Sequence, residues 1–188
     1  EKDYLLLLDF DDAVESFDVQ PVRIPVAGVA RGYVPDVLVK YRPDQETGEI
    51  RKPLLAEVKR SDYLEKHAAK YAPKFAAAVA YAENMGWEFR PVVETGIRLP
   101  RLRNIKFLRE YRNVSPSAED CSRVEQTMMR HGRDSSSERV LAEIAPSDDE
   151  RLYWLPVLWS MVLQKRLLTD LNIPFGGDVQ LSMPRGTP

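Results

Sequence analysis

Tyr33-Val34-Pro35-Asp36-Val37-Leu38-Val39-Lys40-Tyr41 and Pro53-Leu54-Leu55-Ala56-Glu57-Val58-Lys59 are the two runs whose pairing decides the fold. Both are rich in β-branched, aromatic and aliphatic residues, so each predicts a strand. Between them lies Asp44-Gln45-Glu46-Thr47-Gly48-Glu49, a polar turn segment. An antiparallel hairpin folded about that turn sets Asp36 opposite Glu57. Lys59 shares their face, because strand side chains alternate. One spot on a sheet then holds two carboxylates and an ammonium.

That trio has a chemical use. Carboxylates are hard oxygen ligands suited to one or two Mg2+ ions. Such an ion polarises a phosphate oxygen and acidifies a bound water. A lysine alongside can orient the water and stabilise charge on a phosphorane-like transition state. Val37, Val39, Leu54 and Val58 surround the trio with apolar neighbours, and two acids there are costly unless they bind something. A cross-strand salt bridge from Lys59 to both acids explains the same three residues without chemistry. The spacing leaves both readings open.

Working outward, Lys2–Phe10 predicts a helix whose inner face carries Tyr4, Leu5 and Leu8. Val14–Pro25 and Glu88–Glu94 predict strands, the latter at an edge because it contains Pro91. Lys66–Asn84 predicts an alanine-rich helix ended by Gly86. The order helix, three strands, helix, strand is a compact α/β unit. Asn113-Val114-Ser115-Pro116-Ser117 is the clearest seam. It divides the chain into residues 1–113 and 114–188.

Beyond the seam the pattern is helical. Ser115 with Pro116, or Ser117 with Asp120, caps a helix to about Arg130. Arg133-Asp134-Ser135-Ser136-Ser137 predicts a loop, and Ser137–Ile144 a second helix. Ser147-Asp148-Asp149-Glu150 is a capping box opening a third, which Pro156 kinks or restarts. Leu167–Leu171 and Val179–Met183 predict a hairpin about Gly176-Gly177. Three helices and a hairpin follow the winged-helix order. Trp154 and Trp159 belong to the core of this module.

Composition narrows the function. Of 188 residues, 44% are hydrophobic and 30% charged, the balance of a core-forming domain. No apolar stretch approaches a bilayer span. A lone Cys121 and the absence of a secretory signal predict a cytoplasmic setting without disulfides. Two distant histidines, His67 and His131, exclude a zinc site of the His/Cys type. The first residue is Glu1 rather than Met, which predicts further chain upstream. Residues 1–113 carry 19 Lys and Arg against 18 Asp and Glu, whereas residues 114–188 carry 8 against 11. Arg98, Arg101, Arg103, Lys106, Arg109 and Arg112 face only Glu110, a strip that suits a phosphate backbone or plain solvent. Lys70 and Lys74 share a helix face with the same two readings. His67 could touch a phosphate, and a solvated position serves it as well.

Pro35-Asp36 with Glu57-x-Lys59, in that order of elements, resembles the PD-(D/E)xK nuclease superfamily, whose core is restriction-endonuclease-like. More closely, Glu1-Lys2-Asp3-Tyr4-Leu5-Leu6-Leu7-Leu8-Asp9-Phe10-Asp11, Gln20-Pro21, Tyr33-Val34-Pro35-Asp36, Glu57-Val58-Lys59 and Gly86-Trp87 resemble the TnsA family, the endonuclease subunits of certain heteromeric bacterial transposases. The likeness covers most of residues 1–100. It implies metal ligands at Glu1, Asp36 and Glu57 and a catalytic lysine at Lys59, with the helix that presents Glu1 truncated. Gln20 is structural or contacts DNA. The implied activity is Mg2+-dependent cleavage (Mn2+ substituting) of the 5′, non-transferred strand of double-stranded DNA at transposon ends. The implied partners are a TnsB-like transposase and a TnsC-like ATPase, the latter on residues 114–188. Restriction or repair cleavage, and a non-catalytic assembly factor, are the rival functions.

Overall fold

The computed structural model describes residues 1–184. They form two compact units, the first ending at Leu99 and the second beginning at Pro100. The chain is mixed α/β, and among the described residues no helix is long and apolar enough to cross a membrane.

The first unit is built on the expected hairpin. Strands β4 (Val37–Tyr41) and β5 (Leu54–Val58) pair antiparallel, with Val37 opposite Ala56 and Val39 opposite Leu54. That register places Asp36 across from Glu57, as the turn position predicts. Strand β1 (Val14–Val19) lies antiparallel on the far side of β4. On the other side of β5 runs β6 (Glu88–Val92), parallel to it. A parallel neighbour needs a crossover, and helices α2 (Ser61–Lys66) and α3 (Ala68–Asn84) supply it. The sheet order β1-β4-β5-β6 leaves β6 at an edge, where Pro91 is tolerated.

Two expected strands are interrupted. The run Val14–Pro25 breaks after Val19, where Gln20 takes a left-handed φ of 51° ahead of Pro21. The run Tyr33–Tyr41 breaks at Val34–Asp36, since Pro35 has no N–H to give a ladder. Between the breaks, β2 (Ile24–Val26) and β3 (Val29–Tyr33) form a separate hairpin. Gly32 in β3 has a positive φ, and a Cβ there would lie 2.6 Å from the Ile24 carbonyl oxygen, so no larger residue fits. The expected helix Lys66–Asn84 also begins earlier and is jointed. His67 separates α2 from α3, and its carbonyl accepts from the N–H groups of Lys70 and Tyr71.

Every residue of β5 is buried. On one face, Ile24, Tyr33, Leu38, Leu55 and Ala78 form a cluster with Phe75, Trp87 and Phe89 against it. This cluster shares its face with Asp36 and Glu57, because Leu38 and Leu55 are two residues away from them. Helix α1 (Lys2–Asp9) buries Tyr4 and Leu8 and packs on β1 and on the short helix α4 (Glu94–Ile97).

The second unit begins earlier than the sequence seam at Asn113. Helix α5 (Pro100–Arg109) buries Leu102, Ile105 and Leu108 and packs on α8 (Asp148–Leu163). The basic strip hides this apolar stripe, which ties α5 to the residues after it. Helices α6 (Ala118–Arg130) and α8 open with the expected capping boxes, Ser117 with Asp120 and Ser147 with Glu150. Helix α7 (Ser137–Ile144) is capped by Ser136. Pro156 sits inside α8 without ending it. Trp154 and Trp159 are buried.

The expected hairpin is reduced. Leu168 makes an isolated bridge to Ser182, and the main partner of β8 (Gln180–Ser182) is β7 (Asp134–Ser136). The predicted loop at Arg133–Ser137 therefore contains a strand. Buried Asn104 of α5 fixes the intervening segment. Its Nδ2 donates to the carbonyls of Leu171 and Ile173 at 2.8 and 2.7 Å, and its Oδ1 accepts from the Phe175 N–H at 3.2 Å. Phe175 stacks on Trp159 with ring centroids 5.7 Å apart.

Candidate active site

Asp36 is held from two sides by the ladder. Its N–H donates to the Ala56 carbonyl at 3.1 Å, and its own carbonyl accepts from the Gln20 N–H at 2.8 Å. The Asp36 carboxylate takes the Val58 N–H at 2.7 Å and the Lys59 ammonium at 3.2 Å, both on Oδ2. Lys59 reaches Glu57 Oε1 at 2.9 Å. Its backbone N–H donates to the Val92 carbonyl, so the edge strand β6 fixes where the lysine leaves the sheet. The spacing thus brings Asp36, Glu57 and Lys59 to one point.

A fourth side chain completes the group. The Tyr33 hydroxyl donates to Glu57 Oε2 at 2.9 Å inside the fold. Strand alternation alone would turn Tyr33 away from Asp36, being three residues before it. The break at Val34–Asp36 resets the facing, which is why the sequence pattern does not reveal this contact.

Burial decides the electrostatics. Glu57 is 3% exposed. Burial pushes its carboxyl up; the bonds from Lys59 and Tyr33 offset this in part, and the Asp36 charge adds to it. Burial alone would lower the Lys59 ammonium, but its bonds and attraction to Glu57, with Asp36 behind, outweigh that and hold it up. Burial and the neighbouring Glu57 push the Tyr33 phenol far up, so it remains a donor. Lys59 balances two acids that would otherwise repel at close range.

Beside the trio opens a cavity of about 660 Å³, lined in part by Glu1, Lys59, Tyr63, Lys66, His67 and Arg98. Glu1 precedes α1 and makes no side-chain cap bond. Among the described residues no three Asp, Glu, His or Cys side chains gather closely enough to hold a metal ion. Glu1 is therefore on the cavity wall, not in a three-acid cluster with Asp36 and Glu57. His67 also lines the cavity, its ring 4.3 Å from that of Tyr63. Lys74 lies over the rings of Tyr71 and Tyr33, at 5.3 and 6.0 Å, while Lys70 is exposed. Of the basic strip, Arg98 borders this cavity and Arg101, Arg103 and Lys106 belong to α5.

The entry to α2 is also pinned. Ser61 donates to Glu94 through its hydroxyl at 2.6 Å and its N–H at 2.8 Å. These bonds, the hydroxyl first, hold the Glu94 carboxyl down at about 2. A depressed carboxylate contributes stability that is present above the unfolded value and lost as pH falls through the folded one. Ser61→Ala moves the Glu94 titration up toward 4.5, read by carboxyl NMR. An unmoved titration means the Ser61 hydroxyl does not hold it.

Asp36 and Glu57 are hard oxygen donors facing one another, the donor chemistry a Mg2+ ion takes. Both Asp36 bonds fall on Oδ2, and Lys59 occupies the position between the acids. The residues present fit such an ion. No match was found among curated proteins. Residues 11–94 match the family model described as TnsA-like endonuclease N terminal. That segment holds β1 to β6 with Tyr33, Asp36, Glu57 and Lys59, and excludes Glu1 and the second unit. Over residues 11–94 the chain is thus similar to the N-terminal domain of TnsA-like endonucleases.

Proposed function

We propose that this protein is the Mg2+-dependent endonuclease subunit of a transposase, cutting the 5′, non-transferred strand at transposon ends. The observation that carries the reading is the Asp36–Glu57–Lys59 group, with Glu57 buried and Asp36 and Lys59 half-buried, beside an open cavity. Asp36 and Glu57 would hold the ion, Mg2+ or Mn2+, and Glu1, the third ligand the resemblance implies, lines the cavity beside them. When bound, the ion polarises a phosphate oxygen and makes water a better nucleophile. Lys59 shifts from the carboxylates to orient that water and to offset charge as the phosphodiester bond breaks.

Residues 114–188, the part of the second unit that follows the basic helix α5, suit a protein contact. Helices α6, α7 and α8 with the β7–β8 pair follow the winged-helix order. Residues 114–188 sum to −3, which opposes docking on phosphates. A TnsC-like ATPase is the partner we assign to residues 114–188, and a TnsB-like transposase the partner that joins the other strand. Pull-down and DNA mobility shift of the full chain, with and without charge reversal at exposed acids of 114–188 such as Asp148 and Asp149, discriminate: TnsC retention lost on reversal supports the assignment, and DNA affinity carried by this segment refutes it.

Cleavage of end-containing DNA, with and without the TnsB-like partner and Mg2+, tests the function. Nicking of the non-transferred strand that needs the ion supports it. Cleavage of unrelated DNA at equal rate would make it a restriction- or repair-type enzyme. DNA is assigned to Arg98, Arg101, Arg103 and Lys106, with Lys70 and Lys74 beside the site. Arg101→Glu with Arg103→Glu weakens binding on the order of tenfold and reduces the salt slope. An unchanged slope shows a solvated surface.

A further inference from the structure

We propose that Tyr33 is a positioning residue for the metal ligand Glu57, which deepens the function proposed above and rests on it. Glu57 has two carboxylate oxygens, and the structure gives each a different partner. Oε1 meets Lys59 at 2.9 Å and Oε2 accepts from the Tyr33 hydroxyl at 2.9 Å. Lysine is a mobile partner on a flexible stem and is 30% exposed at its side chain. Tyr33 is the opposite. It is 5% exposed, with its ring 6.3 Å from that of Phe75 and 6.5 Å from that of Phe89, and Lys74 stands over it. A ring fixed on several sides presents its hydroxyl at a fixed point.

The consequence is a division of labour within one carboxylate. Oε2 is held by the core, so Oε1 is the oxygen left to exchange Lys59 for a cation. The same bond ties the ligand to the β2–β3 hairpin, because Tyr33 is the last residue of β3. Partners that orient a metal ligand typically affect affinity by 10- to 100-fold when removed. Without the hydroxyl, Oε2 becomes a buried acceptor lacking its donor, and Glu57 turns to recover one.

The test is Tyr33→Phe in the full chain, which deletes one oxygen and retains the ring. Phe75→Leu is the control, since it loosens the ring's packing without touching the hydroxyl. Mn2+ binding, followed calorimetrically without DNA, is expected to weaken about tenfold in Tyr33→Phe. Phe75→Leu is expected to melt earlier yet bind Mn2+ as the unaltered protein does. In the cleavage assay the Mg2+ requirement rises in Tyr33→Phe while KM for DNA stays constant. Unaltered Mn2+ affinity in Tyr33→Phe, with binding lost in Glu57→Ala, overturns this inference alone. Equal weakening in both ring variants reduces Tyr33 to a core residue and overturns it too. Failure of the unaltered protein to bind Mn2+ through Glu57 removes the proposed function and this role together.

Discussion

Asp36→Ala and Glu57→Ala each reduce nicking of end-containing DNA by on the order of 10³-fold or more, with the fold retained. Asp36, just before β4, lies across from Glu57 of β5, and each supplies its own donor, so neither substitutes for the other. Lys59→Ala also removes activity, but it spares divalent-cation binding because lysine is not a ligand. This contrast separates holding an ion from using it, and Mn2+ calorimetry beside a nicking assay reads both. Near wild-type cleavage in either acid variant sinks the site. Stability moves independently of rate. Burial raises Glu57 above its ordinary 4.5, so the folded chain holds this proton more tightly than the unfolded chain does. The stability this contributes is full below 4.5 and is lost as pH rises through the raised value. Glu57→Gln cannot ionise, and its denaturation midpoint is expected to lack that decline. An identical decline in Glu57→Gln would assign it to another group.

Asn104→Ala destabilises the second unit by about 2–4 kcal/mol. The side chain is 1% exposed and makes three bonds to the backbone of Leu171, Ile173 and Phe175. Its removal leaves two carbonyls and one N–H without their partner; each fully buried loss costs about 1–3 kcal/mol, and water replaces part of it at exposed Ile173. Asn104→Leu fills the space but restores no bond, so it recovers little. The denaturant midpoint of the full chain is the measurement, and a shift under about 0.5 kcal/mol would show that the segment refolds around the loss. Phe175, stacked on Trp159, offers a second readout through tryptophan fluorescence.

The hairpin register was legible because the turn residues at Asp44–Glu49 are distinctive and pairing about them admits one arithmetic. The capping boxes at Ser117 and Ser147 were legible for a similar reason, being local and chemically specific. Non-local features were not. Asp134-Ser135-Ser136 has no strand composition and becomes β7 only because β8 comes alongside. Helix α5 read as a basic strip, and its apolar stripe, which decides the unit it joins, lay underneath the charges. Asp36, Glu57 and Lys59 followed from spacing on one hairpin. Tyr33 did not, because its facing depends on the chain break at Pro35. Glu1 was assigned through resemblance alone, and the structure leaves it on the wall of the cavity.

Strand β5 carries a consequence for any exhaustive mutational survey of this protein. Its five residues are all buried, although four are apolar and one is a carboxylate. A growth selection would return Leu54 to Val58 as one uniformly intolerant block, with Glu57 indistinguishable from the aliphatic residues around it. Survival scores therefore carry no catalytic information at this strand. On the proposed function the information lies in dominance: a folded Glu57→Gln subunit would still enter the transposase assembly and poison it, whereas a collapsed Leu55 variant would be cleared and leave its neighbours working.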